Sequence, residues 1–294
     1  MSDPSGSAPR LSVCLPTWNG ERDLERLLPR LSGQRVEGGF ELVAIDSSSR
    51  DRSLELLDAA GARTESIPQA EFHHARTRGR LAELARGEVL VFLSQDALPE
   101  GERFLAELAA PFTDPRVAGV CARVLPHEDD DPLTARTALA LPEAAAEPRV
   151  FEGPDAPAPF NDVASAIRAN VLRELPFPEV AFGEDRAWAD RALAAGWRLA
   201  FQPSALVRHA HRYSAGAAFR RYCTDARFHL ERDGRRLRPG LLSVLRGIAS
   251  ECGADARFIA RNRPAGALGA LFRSPILRTA QVFGQYCGSR PTAT

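Results

Sequence analysis

The 294-residue chain has the composition of an ordinary soluble globular protein, with 44% hydrophobic and 26% charged residues. Its 38 basic and 38 acidic residues cancel. No whole-chain electrostatic field attracts a nucleic acid, and we expect no nucleic-acid partner. The five cysteines show no C-x-x-C spacing, which argues against disulfides and a zinc site and favours a cytoplasmic location.

The two ends of the chain differ from this average. Residues 1–9 are polar and rich in proline, serine and glycine, and we expect them to form a disordered leader. From 254 to 294, six arginines accompany a single carboxylate, Asp255. This basic region indicates either a peripheral membrane contact at the inner face of the membrane, or a helical surface that packs on the protein or forms a homodimer.

Strand and helix patterns alternate along the first third of the chain. Apolar runs predict strands at 11–15 and 41–45, and a further short strand is predicted at 63–67. Leucines at helical spacing predict helices after the first two strands. The next apolar run, 89–93, leads to Asp96. Alternation with short connections predicts an α/β fold whose twisted sheet is mostly parallel and is flanked by helices.

The pattern changes after a predicted helix at 102–112 and a predicted strand at 117–122. Residues 126–160 contain an acidic run and seven prolines, and we expect a long functional or mobile loop there. The sequence predicts two domains, a catalytic domain at 10–213 and a C-terminal helical region at 214–294. Arginine-rich amphipathic patterns indicate the helices of that region.

Three polar side chains near predicted strand ends are candidates for binding a nucleotide and its cation. Ligands bind at the carboxyl ends of strands in open α/β sheets, and Mg²⁺ or Mn²⁺ often takes one or two protein carboxylates together with substrate phosphates. Asp96 fits this role. Asp46 would contact a nucleobase or ribose, although an N-cap or Asx turn is the stronger alternative. Arg78 would bind phosphate or simply be solvated.

Two further groups carry residues suited to catalysis. Glu184 and Asp185 begin a predicted helix, where acidic side chains either stabilise the helix dipole or, beside the apolar segment 180–182, supply a general base. His209 and His211 are two residues apart, so in a strand they would face the same side. They would bind a metal beside carboxylates, or serve as ordinary structural histidines.

Five short segments, taken together and in this order, resemble the family 2 glycosyltransferases with the GT-A fold. They lie at 16–20, 46–49, 77–78, 94–97 and 184–185. A narrower resemblance to the bacterial rhamnosyltransferase branch is carried by segments at 92–99, 111–117, 163–168 and 208–214. The likeness covers about residues 11 to 230. It implies a GT-A catalytic domain with a C-terminal helical extension.

The resemblance also implies a nucleotide-sugar site and a metal site. The residues implied for the nucleotide-sugar site are Pro16, Thr17, Asn19, Asp46, Arg78, Ser94, Gln95 and Asp96. Asp96 matches the last carboxylate of the family's D-x-D element and would hold Mg²⁺ or Mn²⁺ between the diphosphate oxygens, with Ser94 in the place of the first aspartate. His209 would be the additional metal ligand, with His211 as the other candidate.

By the same resemblance the enzyme is an inverting glycosyltransferase. Asp185 would take the proton from an acceptor hydroxyl as that hydroxyl attacks the anomeric carbon, with Glu184 beside it, while the cation stabilises the departing diphosphate. The acceptor would be a glycan, a lipid-linked molecule or a small metabolite. The expected donor is dTDP-rhamnose. UDP- and GDP-linked sugars remain open because residues 73, 75, 79 and 161–162 depart from the family's pattern.

Two other functions fit the sequence less well. A nucleotidyltransferase would need a glycine-rich and basic loop after the first strand, and segment 16–20 is not one. A catalytically inactive binding or scaffold protein is the second alternative, and the joint presence of Asp96, Asp185 and His209 argues against it. Without G-x-G-x-x-G or a P-loop pattern, a Rossmann dehydrogenase and a P-loop NTPase are both disfavoured.

Overall fold

The computed structural model describes residues 10–180 and 182–290, so the predicted leader lies outside the described residues. The chain divides into two compact units. The first comprises the residues up to Leu125 together with Leu141–His209, and the second comprises Pro126–Ala140 together with the residues from Ala210 onward. The division after His209 lies close to the predicted boundary at 213, whereas the sequence did not indicate that 126–140 joins the C-terminal helices.

A single mixed sheet forms the centre of the first unit. In the described part its nine strands are β1 (Leu11–Thr17), β2 (Phe40–Asp46), β3 (Arg63–Ser66), β4 (Val89–Leu93), β5 (Leu98–Pro99), β6 (Val117–Leu125), β7 (Arg149–Phe151), β8 (Ala164–Arg168) and β9 (Arg198–Arg208). Their order is β3-β2-β1-β4-β8-β6-β9-β5, and β7 pairs with β9.

All four strands of the parallel half of this sheet lie at positions that the sequence pattern predicted, as does β6. Strands β3, β2, β1 and β4 run parallel, and β4 is buried along its whole length. A strand covered on both faces is apolar throughout, which is the signal that marked it in the sequence. Beyond β4 the sheet becomes mixed, because β8 runs antiparallel to both β4 and β6.

Helices flank the sheet within the same unit. They are α1 (Glu21–Ser32), α2 (Ser53–Ala59), α3 (His74–Leu84), α4 (Phe104–Ala109), α6 (Ala169–Glu174) and α7 (Glu184–Ala194). The four predicted leucines of α1 are all buried. Helix α7 begins after Gly183, whose φ of 75° is a conformation that glycine adopts without strain. This turn fixes where the first residues of α7, Glu184 and Asp185, are placed.

The second unit is helical. It contains α5 (Pro132–Leu139), α8 (Ala215–Asp233), α9 (Leu241–Asn262) and α10 (Ala267–Gly288). The prediction of an unstructured loop over 126–160 is therefore wrong for α5. The side chain of Asp131 caps this helix, and Pro132 occupies its first turn, where no backbone donor is needed. None of the described helices is long and apolar enough to cross a bilayer.

Helices α8 and α10 approach each other closely at two glycines. A Cβ atom on Gly284 would overlap the carbonyl oxygen of Phe219, and one on Gly288 would overlap that of Cys223. Overlap with backbone cannot be relieved by rotating a side chain, so only glycine permits this spacing at the two positions.

A buried group of charges joins α5, α9 and α10. Arg278 donates to both carboxylate oxygens of Asp255 at 2.8 Å, and Arg136 Nε lies 2.6 Å from the same carboxylate. Ser274 also donates to Asp255, and Arg136 contacts Glu251. We call Arg136, Glu251, Asp255 and Arg278 the helical charge cluster. Two cations and two carboxylates balance within it.

Candidate active site

The first polar group lies where β1 and β2 end. Pro16 and Thr17 are the last residues of β1, and Thr17 pairs in register with Asp46 at the end of β2. The Asp46 carboxylate accepts hydrogen bonds from the backbone N–H and the hydroxyl of Ser49, at 2.9 and 2.5 Å. Asp46 therefore makes the hydrogen bonds of the turn that was its alternative role. Among the described atoms, the buried hydroxyls of Thr17 and Ser47 have no hydrogen-bond partner.

The loops after β1, β2 and β4 are joined by hydrogen bonds. Asn19 adopts a left-handed conformation, with φ of 44°, which asparagine tolerates better than most residues. The side-chain oxygen of Asn19 accepts a hydrogen bond from the backbone N–H of Arg50, and the backbone N–H of Asn19 donates to the Ser49 hydroxyl. Gln95 accepts from the backbone N–H of Trp18 at 3.0 Å and donates to its carbonyl at 3.3 Å. These contacts hold Asn19 and Gln95 at one edge of the sheet.

The metal candidates Asp96 and His209 come together because short strands pair. Leu98 in β5 pairs with Arg208 in β9, and an Asp96 carboxylate oxygen lies 3.3 Å from His209 Nδ1. Ser94 lies in the turn between β4 and Asp96. Ligand atoms of Asp96 and His209 lie close enough to bind one ion. A carboxylate oxygen with an imidazole nitrogen suits a borderline cation such as Mn²⁺ better than Mg²⁺, which prefers oxygen.

The two histidines do not lie in a strand. Strand β9 ends at Arg208, so the strand geometry considered for His209 and His211 does not apply to them. His209 is the last residue of the first unit and is partly buried, whereas His211 belongs to the second unit and is exposed. The structure brings His209 to Asp96 within the first unit.

A second polar group surrounds the start of α7. The Asp185 carboxylate accepts the backbone N–H of Asp162 at 3.1 Å. Arg78 Nε lies 3.2 Å from the Asp162 carboxylate, and Arg78 also donates to Glu184. The Ser165 hydroxyl donates to the other oxygen of Asp162 at 2.6 Å. We call Arg78, Asp162, Glu184 and Asp185 the acidic cluster, because it has three carboxyl groups and one guanidinium.

Burial and mutual repulsion favour the protonated forms of the carboxyl groups in this cluster. Burial raises the pKa of Asp162 to about 7, with Arg78 opposing the rise and Asp185 adding to it. Burial likewise raises the pKa of Glu184, again opposed by Arg78. Desolvation disfavours the charged form of a carboxyl group, and a neighbouring like charge does the same. At neutral pH the cluster is therefore poised between protonation states.

Arg78 has a different environment from the one expected. It is buried, so it is not a solvated residue on a helix surface, and two carboxyl groups face its guanidinium. No role was predicted for Asp162 from the sequence, although segment 161–162 departs from the family's pattern. The available signal was a carboxylate placed directly before a strand-like run.

Comparison with known proteins identifies the family. The sequence profile of glycosyl transferase family 2 matches residues 12–173. The chain belongs to this family. It is 30% identical to the O-antigen chain rhamnosyltransferase RfbN of Salmonella typhimurium and 34% identical to WbaN of Salmonella anatum, in each case over 75% of this chain and 72% of the relative. The predicted resemblance to family 2 and its rhamnosyltransferases is confirmed, and the chain is a glycosyltransferase.

The fold agrees with this assignment. The mannosyltransferase PcManGT from Pyrobaculum calidifontis, solved in complex with GDP-Man and Mn²⁺, superposes with a TM-score of 0.63 at 20% identity. The match covers 98% of this chain and 88% of PcManGT. The predicted GT-A fold is confirmed. Membership of family 2 supports a nucleotide sugar as the donor.

Proposed function

We propose that this glycosyltransferase is metal-dependent and inverting, and that it moves a sugar from a nucleotide diphosphate donor to an acceptor hydroxyl. The observation that carries the proposal is the approach of Asp96 to His209 at 3.3 Å, beside the loops that follow β1 and β2. The first-choice donor is dTDP-rhamnose, supported by the names of the two Salmonella relatives. UDP- and GDP-linked sugars are the alternatives.

The donor site is proposed at the loops that follow β1, β2 and β4. Unpartnered buried hydroxyls of Thr17 and Ser47 support a polar ligand there, because a buried hydroxyl without a hydrogen bond is costly. Asn19 and Gln95 would line the same edge, since hydrogen bonds already fix them there. Asp96 and His209 would hold a divalent cation, with His211 as the alternative histidine. The cation would supply positive charge to the diphosphate.

Asp185 is proposed as the general base. One of its carboxylate oxygens is fixed by the backbone N–H of Asp162, so the carboxylate keeps one orientation. It would accept the proton of the acceptor hydroxyl while the new bond forms from that oxygen to the anomeric carbon and the bond to the diphosphate breaks. Arg78 and Glu184 position the first turn of α7, which carries the base.

The acceptor is proposed to be a glycan, a lipid-linked molecule or a small metabolite, and the reaction to belong to the biosynthesis of a cell-surface polysaccharide or a glycosylated metabolite. The O-antigen relatives support the polysaccharide. The proposed location is the cytoplasm, at the inner face of the membrane if the acceptor is lipid-linked. A homodimer stays a prediction.

The test is a thermal-shift panel of dTDP-rhamnose, UDP-glucose and GDP-mannose, each with and without Mn²⁺. A ligand that binds only the folded state raises the melting temperature by mass action, by an amount equivalent to about 2.7 kcal/mol at a hundredfold excess over Kd. One donor should give a shift that requires Mn²⁺. Asp96→Ala should lose this dependence, whereas Asp58→Ala on the exposed face of α2 should keep it. An unchanged metal requirement in Asp96→Ala would refute the metal assignment.

The inactive-scaffold alternative is separated by product release. A live site should slowly hydrolyse the donor that gives the largest shift and release free nucleoside diphosphate, and the release should require Mn²⁺. Binding without any release, even when acceptor candidates are present, would favour the scaffold. Comparing His209→Ala with His211→Ala in the same assay shows which imidazole contributes to the metal requirement.

A further inference from the structure

Helix α10 of the second unit presents a row of large apolar side chains to solvent. Leu268, Phe272 and Ile276 are 74%, 80% and 66% exposed. Residues four apart lie on the same side of a helix, so these three form one continuous stripe. Leu271 and Phe283 extend it. A single exposed apolar residue needs no explanation, but a contiguous apolar stripe marks a surface that contacts something apolar.

Helix α9, which connects directly to α10, adds exposed leucines and a row of arginines. Leu241, Leu242 and Leu245 are each more than half exposed. Arg257 and Arg261, four residues apart, are exposed farther along the same helix. At about 100° per residue, the two arginines lie to one side of the three leucines around α9. We call these leucines and arginines of α9, together with the apolar stripe of α10, the hairpin face. It combines apolar side chains long enough to enter a bilayer with cations able to reach phosphate groups.

The charges of the hairpin face are all of one sign. Between 241 and 290 the carboxylates are Glu251 and Asp255, and both belong to the helical charge cluster, where Arg136 contacts each of them. Asp255 is fully buried, and Glu251 has a quarter of its side chain exposed. The outward-facing charge is therefore positive, which suits an anionic surface.

We propose that the hairpin face docks onto the surface of an anionic lipid bilayer. Its leucine, isoleucine and phenylalanine side chains enter the boundary between headgroups and acyl chains, and its arginines bind the lipid phosphates. A second copy of the chain fits less well. Two-fold symmetry sets the same patch against itself, so the arginine rows would face one another without carboxylates to separate them. The proposal stands independently of the identity of the donor and acceptor.

The test measures co-sedimentation of the full chain with vesicles. One set contains phosphatidylcholine alone, and the other contains equal parts of phosphatidylcholine and phosphatidylglycerol. The protein should sediment with the anionic vesicles and remain in solution with the neutral ones. Raising the salt concentration should weaken the binding, because attraction between surface charges falls off within a Debye length of about 10 Å at 0.1 M salt.

An apolar variant tests the stripe. Leu268→Ser, Phe272→Ser and Ile276→Ser together should lower the partition coefficient at least about a hundredfold, because each side chain gains from leaving water. Because all three side chains are exposed, the variant should keep the fold. Circular dichroism and the melting temperature check this. The matched control is Leu141→Ser with Val150→Ser, two exposed apolar residues of the first unit. It should bind as the parent does.

A charge variant tests the arginines. Arg257→Gln with Arg261→Gln should lower the partition coefficient about five-fold for each charge removed and reduce the salt dependence. Arg103→Gln with Arg173→Gln, exposed arginines of the first unit, is the control and should change little.

Three results would overturn the proposal. The first is equal binding of the parent protein to neutral and anionic vesicles, or no binding to either. The second is an apolar variant that binds as well as its control. The third is a dimer that the apolar variant converts to a monomer while the parent ignores vesicles, since the hairpin face would then be a self-interface.

Discussion

The two buried charge clusters of this protein differ in their balance. The helical charge cluster matches two arginines with two carboxylates, and each oxygen of Asp255 has a partner. Burial lowers the pKa of Arg278, but the hydrogen bonds to Asp255 and the attraction of its charge together outweigh burial, so the pKa is raised. The acidic cluster has one guanidinium for three carboxyl groups. Its burial raises the pKa of Asp162 and Glu184.

This difference in charge balance indicates that buried charges stabilise the fold in one cluster and take part in chemistry in the other. A balanced cluster holds elements together, and removing a member leaves an uncompensated charge. A cluster with surplus carboxyl groups is costly, and such groups are typical of sites that exchange protons. Breaking the helical charge cluster should therefore lower the stability of the fold, whereas changing the acidic cluster should alter activity or the pH dependence of activity and stability.

The largest effect is expected at Asp185. Asp185→Asn keeps the shape and the acceptor atom for the Asp162 backbone N–H but removes the proposed base, so transfer should fall about 10²- to 10⁴-fold. The melting temperature and the donor-induced shift should stay close to those of the parent. The control is Asp190→Asn in the same helix, which should retain activity. An Asp185→Asn enzyme with normal turnover would contradict the base assignment.

The next effect is one of stability, at Asp255. Asp255→Ala leaves two buried arginines without their shared carboxylate and should lower the free energy of unfolding by about 3–5 kcal/mol. Denaturant titration followed by circular dichroism measures the change. Asp58→Ala, at an exposed position, should have little effect. If both variants were equally stable, the helical charge cluster would not contribute the stability assigned to it.

Asp162 should make stability depend on pH. Its pKa is about 7 in the fold, above the ordinary value of 3.8 for an aspartate, so its contribution to stability is fully present below about pH 4 and is lost as the pH rises through about 7. Asp162→Asn removes this loss. The melting temperature of the variant should rise relative to the parent between pH 5 and pH 8. The upper bound is about 4 kcal/mol, at about 1.4 kcal/mol per pKa unit. A parallel pH dependence in both proteins would show that Asp162 is not the titrating group.

The smallest effect is expected at an exposed ion pair. Arg80 contacts Glu65 at 2.9 Å, and their side chains are 49% and 33% exposed to water. Glu65→Gln should change the free energy of unfolding by less than about 1 kcal/mol, because solvent screens the pair. The comparison with Asp255→Ala in the same titration measures how much burial matters for charges of the same kind.

Most of the parallel part of the sheet could be predicted from the sequence because β1, β2 and β4 are buried along almost their whole length. The run that forms β4 is apolar throughout, and α1 carries its leucines at helical spacing. Helix α5 could not be predicted in the same way. It is short, it lies within a proline-rich segment, and it is buried by contacts with α9 and α10, which are distant in the sequence.

The candidate site was predictable where a motif ends a strand and less so where a contact depends on tertiary packing. Asp96 follows β4, and its sequence position alone indicated a sheet edge. The approach of His209 requires the pairing of β5 with β9, and β5 has only two residues. The ion pairs of Arg78 with Asp162 and Glu184 join distant segments, which no local pattern specifies.

The environment of Trp18 makes this edge of the molecule observable by light. Trp18 is 51% exposed, in the loop that hydrogen bonds join to Gln95. Trp188, in contrast, is fully buried and donates its indole N–H to the carbonyl of Leu175. Water shifts indole emission to longer wavelength, so the exposed and buried tryptophans emit in different parts of the spectrum. A nucleotide that occupies the β1 loop should alter the long-wavelength component, which gives the protein an intrinsic fluorescent reporter without any attached dye.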